Sequence, residues 1–165
     1  MHPHANAPRA SLKRRLATLL YDSLLGLAVY MAFGAVFFML FGALVSQGVI
    51  SNPEQQHAID ILQSSPGWTL ANEGFKWGGV MLFFSYFWQK SGQTIGMRAW
   101  RLKLQNIDGS LISWHQALIR LITSGFGLMA LTMVFSDDKR SLHDKWSHTE
   151  LVELSIEQNR ARLGQ

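Results

Sequence analysis

After Asp22 no charged side chain occurs until Glu54. The stretch between them opens SLLGLAVYMAFGAVFFMLFGALVSQGVI, which is apolar around the whole circumference of a helix and so is no one-sided surface helix. It far exceeds the roughly 7–15-residue apolar core of a signal peptide. A hydrocarbon layer of about 30 Å needs about 20 helical residues, so a membrane-spanning helix is expected over residues 16–45. An uncleaved signal anchor would describe the same insertion and leave function open. The basic cluster Arg9, Lys13, Arg14 and Arg15 ahead of the span favours a cytoplasmic N-terminus.

A second apolar block, TLANEGFKWGGVMLFFSYFW, predicts a span over residues 69–88. Glu73 and Lys76 stand three apart on one helical face, placed to pair near the outer interface. Trp77 and Trp88 suit interface depths, although Trp77 equally suits packing between helices. Gly74-x-x-x-Gly78 permits close helix approach. The intervening loop, with Gly48, Asn52, Pro53, Pro66 and Gly67, carries no Lys or Arg and suits the outer side.

Residues 89–113 are basic, with Lys90, Arg98, Arg101 and Lys103, and suit the cytoplasm. Arg101, Lys103 and Gln105 alternate with Leu102 and Leu104 and lead to Asp108-Gly109, the signature of a small β-hairpin. The third apolar block, residues 114–135, contains Arg120 and the break Ser124-Gly125-Phe126-Gly127. After it come Lys139, Arg140, Lys145, Arg160 and Arg162. A full crossing would put these five on the outside, against the positive-inside rule. A re-entrant or interfacial segment keeps all the basic regions inside and is favoured. A strand-like stretch, residues 149–154, can pair with 101–107 only if both lie on one side. The expected fold class is an all-α integral membrane protein in one domain, residues 1–165. It has two transmembrane helices, a third re-entrant or spanning apolar helical segment, and a small cytoplasmic β-hairpin.

The absence of Cys excludes disulfides, thiolate metal sites and Cys nucleophiles. The net charge of +4 sits beside apolar blocks, which points to anionic lipid headgroups and not to nucleic acid. His143 and His148 are five apart, the wrong spacing for ligands on one helical face, and His2 and His4 are terminal. No Ser–His–Asp arrangement or phosphate loop occurs, and Gly92-Gln-Thr-Ile-Gly96 lacks nucleotide-loop spacing. Neither enzyme chemistry nor a cofactor or metal is expected.

Asp22 is the most informative residue. A carboxylate at the bilayer centre costs about 2.5–3.5 kcal/mol, and less near the interface. Arg15 lies seven residues away on the same face, about 10 Å along the axis, and a partner from another helix serves equally. Three readings stand: a charge paired to fix packing, an ion-binding or transport carboxylate, or a group at headgroup level. Arg120 can snorkel to phosphates or pair with Asp22 or Asp144.

Three segments in order resemble the RDD family of bacterial membrane proteins: RRLATLLYDSLL, GQTIGMRAWRLKLQNIDGSLISWHQALIRLI and SLHDKWSHTELV. Arg15, Asp22 and Asp144 take the places of the family's arginine and two aspartates. Met97 stands where members often carry Lys, with Arg98 beside it. The resemblance implies a multi-pass inner-membrane protein acting in transport, with exchange of monovalent cations for protons linked to some members. On that reading Asp22 binds the ion or proton, Arg15 or Arg120 competes for the carboxylate, and a homo-oligomer or a membrane protein partner completes the pathway. The alternative is a non-transporting scaffold or assembly factor that docks a partner or anionic lipid through its basic cytoplasmic segments.

Overall fold

The computed structural model describes residues 7–52, 54, 56–124, 128–136 and 140–161. Expectations resting on His2, His4, Pro53, the Gly125-Phe126-Gly127 break, Lys139 and Arg162 fall outside the described residues. The chain is mostly helical and divides into two compact units, residues 25–82 and residues 1–24 with 83–165.

The charge-free run forms the greater part of α1, Leu12–Ser46, whose first turns carry Lys13, Arg14, Arg15 and Asp22. Among the described residues it is the one helix long and apolar enough to cross a membrane. Only 6% of its most apolar window is buried, so it is not the core helix of a globular domain. A short helix, α2 (Ala58–Ser64), precedes α3 (Pro66–Ser91). Thr69 Oγ1 donates to Leu62 O at 3.0 Å, which fixes the corner between them.

In the first unit α1 and α3 run antiparallel, joined by aromatic side chains. Tyr30 meets Trp77, Phe33 and Phe37 meet Phe75, and Phe41 meets Trp68, with ring centroids 5.1–5.7 Å apart. The glycines that allow this approach are Gly34 and Gly79. A Cβ on Gly79 would lie 2.4 Å from the Phe33 ring, and one on Gly34 would lie 3.0 Å from Lys76 Cδ. Gly74 and Gly78, expected to dock helices, face open space. The 3–4 spacing marked a small-residue face but not the face that meets α1.

The second unit is built on a two-stranded antiparallel sheet. β1 (Leu102–Asn106) pairs with β2 (Thr149–Glu153), and Leu104 lies opposite Leu151. The expected local hairpin is therefore corrected. Asp108 and Gly109 do turn the chain, and Asn106 N–H donates to Ser110 O, but no strand follows. The partner of β1 lies beyond the third apolar block. Left-handed residues, Arg101 (φ 57°) and His148 (φ 55°), lead into the two strands. Residues 8–10 add to the free edge of β2: Ala10 N–H donates to Leu151 O, and Glu153 N–H to Pro8 O. This pins the start of α1 to the sheet.

The third apolar block is not one helix. α5 covers Trp114–Thr123, and Leu128–Phe135 form a 3₁₀ segment. Ser113 and Gln116 cap α5 reciprocally, and Gln116 Nε2 also donates to Asn106 Oδ1 and Ser147 O. Short helices α4 (Ile95–Ala99), α6 (Leu142–Trp146) and α7 (Ile156–Ala161) complete the unit. Its apolar core joins Ala10, Trp88, Met97, Leu102, Leu104 and Ala117. Trp88 is thus a core residue and not a marker of interface depth.

Candidate functional site

Asp144 lies at the third position of α6, fully buried. Its carboxylate reaches back to the start of its own helix, where the Ser141 N–H donates to Oδ2 at 3.1 Å and the Ser141 hydroxyl at 2.8 Å. Two guanidiniums converge on what remains. Arg15, from the first turn of α1, donates to Oδ2 at 2.6 Å. Arg120, from the inward face of α5, donates to Oδ1 at 2.5 Å and to Thr149 Oγ1 at 2.9 Å. Arg120 also lies over the Trp88 ring, 5.9 Å from its centroid. Both arginines are buried, so Arg120 is not a headgroup anchor.

Burial alone would raise the Asp144 carboxyl, but the charges of Arg120 and Arg15 outweigh it and hold the group well below the usual carboxylate range. His143, next in chain, touches Ser141 Oγ through Nε2 at 3.2 Å. Its Nδ1 is buried without a hydrogen-bond partner among the described residues. Burial first, then the Arg120 charge, pushes His143 down to about 3, so the ring is neutral at physiological pH. The cluster therefore carries two positive charges and one negative. Removing one partner of so buried a pair leaves an uncompensated charge.

Asp22, the other aspartate of interest, does not join the cluster. It lies two turns after Arg15 on α1, and its partners come from the turn after α3. The Thr94 hydroxyl donates to Oδ2 at 2.6 Å, and the Gly96 N–H donates to Oδ1 at 3.0 Å. No cation reaches Asp22 among the described residues. The local sequence explains the fit. Gly92 ends α3 in a left-handed conformation (φ 70°), and a Cβ there would lie 2.5 Å from Leu104 O. Gln93 is buried and donates to Leu102 O and Asn159 Oδ1. Thr94 caps α4 by accepting from Met97 N–H at 3.1 Å. At Gly96 any Cβ would sit 2.5 Å from Asp22 Oδ1. Thr18, one turn before Asp22 on the same face, has a buried hydroxyl with no partner among the described residues.

Of the four residues singled out from sequence, Arg15, Arg120 and Asp144 come together and Asp22 stands with Thr94 and Gly96. Neither arginine competes for Asp22, because both are committed to Asp144. Sequence reasoning missed Ser141, Thr149, Thr94 and Gly96 as partners. Ser141 did carry a signal, since Ser followed three residues later by Asp resembles a capping box. Among the described residues no group of His, Asp or Glu is arranged to hold a metal ion.

A long exposed apolar helix leading into a unit closed by a buried diarginine–carboxylate cluster defines a membrane-associated domain. The RDD family model matches residues 9–148, most of the chain, and the protein belongs to the RDD family. No curated protein and no solved structure matches it.

Proposed function

We propose that the protein exchanges monovalent cations for protons across a bacterial inner membrane, with Asp22 as an exchanging carboxylate. The observation that carries this reading is that Asp22 is buried on α1, held by one hydroxyl and one backbone N–H and, among the described residues, without a cation. An intramembrane carboxylate persists against its cost where it has a task. The surroundings tolerate either protonation state. When Asp22 takes a proton, Oδ2–H can donate to Thr94 Oγ1, while Oδ1 goes on accepting from Gly96. The orphan Thr18 hydroxyl offers a further oxygen on the same face. Arg15 and Arg120 play no part in release, and the fold around Asp144 is their work.

The topology that goes with this reading is multi-pass with a cytoplasmic N-terminus: α1 is the strongly apolar span, and α3, less apolar because of Glu73 and Lys76, is proposed to cross packed against it. Residues 114–135 lie at the cytoplasmic interface without crossing. The pairing of β1 with β2 supports this, since the two strands flank that segment. At ten residues α5 measures about 15 Å, half a hydrocarbon core. Its exposed Trp114, Leu118 and Ile122 line the face opposite Arg120 and suit lipid. Anionic headgroups meet the basic segments, and a homo-oligomer or a membrane protein partner encloses the pathway. We assign no enzymatic chemistry and no nucleic-acid partner.

One observation favours the alternative of a non-transporting scaffold. Both Asp22 oxygens are already taken by groups that tie α1 to α4, which is what a purely structural fastener requires. Proteoliposomes of the purified protein carrying a pH-sensitive dye separate the two. Sodium-, lithium- or potassium-driven proton movement above protein-free liposomes, absent in Asp22→Asn, supports exchange. No movement with the wild type contradicts it and leaves the scaffold.

A further inference from the structure

Within residues 25–82 a second polar group interrupts the apolar contact of α1 and α3. Lys76 Nζ donates to Glu73 Oε1 at 2.5 Å, and the Tyr30 hydroxyl donates to Glu73 Oε2 at 2.5 Å. The ammonium also lies over the Tyr30 ring, 4.6 Å from its centroid, within reach of a cation–π attraction. The lysine stem rests against Gly34, where a Cβ would lie 3.0 Å from Lys76 Cδ and make the stem shift slightly. Trp77 meets the Tyr30 ring edge-on, with centroids 5.2 Å apart.

The trio lies deep along the helix. α1 carries no Asp, Glu, Lys or Arg after Asp22. Tyr30 stands within that run, about 12 Å from Asp22 and about 24 Å from Ser46 at 1.5 Å per residue. The Lys76 side chain is 13% exposed, while that of Glu73 is 41% exposed. The lysine is thus partly covered by its neighbours, and the carboxylate is the more open of the two.

We propose that Glu73, Lys76 and Tyr30 form a monovalent-cation site at which a sodium-sized ion displaces the lysine. This rests on the exchange reading above and adds a site distinct from Asp22. The ion binds the open side of the Glu73 carboxylate. The Lys76 ammonium leaves the ion pair, loses one proton to water and stays as the neutral amine against Tyr30 and Gly34. Departure of the ion restores the pair when Lys76 regains a proton. The charge of the trio is zero in both states, so one cation exchanges for one proton. A lysine suits this task because an ammonium that has lost its carboxylate partner can give up a proton, whereas a guanidinium stays charged. The ionisable groups at Lys76 are Glu73 on its own helix and Tyr30 on α1. A pair serving only to neutralise α3 for insertion would not need to lose its proton.

The test is Lys76→Arg, which keeps a cation on Glu73 but cannot release a proton, measured beside the wild type in dye-loaded proteoliposomes with sodium. The expected result is a folded, monodisperse variant whose sodium-driven proton release falls to the level of protein-free liposomes. Wild-type exchange with an equally active Lys76→Arg overturns this site and leaves the exchange reading standing. No wild-type exchange overturns both. Should Lys76→Arg not fold, Lys76→Gln is measured in its place, and sodium-driven proton release equal to wild type overturns the site. Competition between one cation and one proton lowers the half-saturating sodium concentration about tenfold per pH unit, and a pH-independent value overturns the site.

Discussion

Asp144 receives two guanidiniums in a buried site, and among the described residues Asp22 receives only neutral donors. The two aspartates should therefore respond differently to the same substitution. Asp144→Asn leaves Arg15 and Arg120 buried without their countercharge and should cost about 3–5 kcal/mol, seen as a large drop in thermal stability in detergent. Asp22→Asn keeps an oxygen for Gly96 or Thr94 and should cost only about 1 kcal/mol. Acid should weaken the fold through His143. The unfolded ring takes up a proton as pH falls through 6.5, whereas the folded one resists until about 3. Between those values the unfolded chain binds more protons, so stability is full above 6.5 and is lost progressively as pH falls. Asp144, held low in the fold, adds to the loss below its ordinary value of 3.8. Unfolding measured from pH 7 to 4 should show this slope in the wild type and a shallower one in His143→Gln.

At the scale of elements, the sequence made visible what repeats locally. The charge-free run became α1, Glu73 and Lys76 pair, and residues 101–107 and 149–154 hold the two strands. Partners chosen over long separations were not visible. Asp108-Gly109 signals a turn, but burying Leu102 and Leu104 against the core required a strand some 45 residues away, and the local hairpin lost to it. Likewise Arg15 finds Asp144 because residues 8–10 join the edge of β2, a contact no periodicity announces. Small-residue spacing pointed to Gly74 and Gly78, while close approach occurs at Gly34 and Gly79. Gly79→Ala should push Phe33 aside and cost about 1–3 kcal/mol, read as a fall in the melting temperature. The proposed topology, with both strands on one side of the membrane, can be tested by labelling. The chain contains no Cys, so single cysteines report accessibility cleanly. Cysteines at exposed Asp108 and Glu157 should both react with an impermeant maleimide in inside-out vesicles, and one at exposed Glu54 should react only in right-side-out preparations. Opposite labelling of 108 and 157 would contradict the interfacial position of residues 114–135.

For the molecule as a whole, two carboxylates that the family signature treats alike have different surroundings, Asp144 between two arginines and Asp22 with Thr94 and Gly96. Asp144 closes the unit that receives the first turns of α1, and Asp22 is the carboxylate proposed to exchange. α1 itself leaves Leu20, Leu24, Leu27, Met31 and Met39 exposed, surface suited to lipid or to further copies. The most direct measurement compares wild type, Asp22→Asn and Asp144→Asn in energised inside-out vesicles, with dye recovery on adding sodium normalised to the amount of protein in the membrane. The account predicts normal abundance with no recovery for Asp22→Asn, and low abundance for Asp144→Asn. Recovery by Asp22→Asn equal to wild type, or traces from all three identical to vesicles lacking the protein, would contradict it.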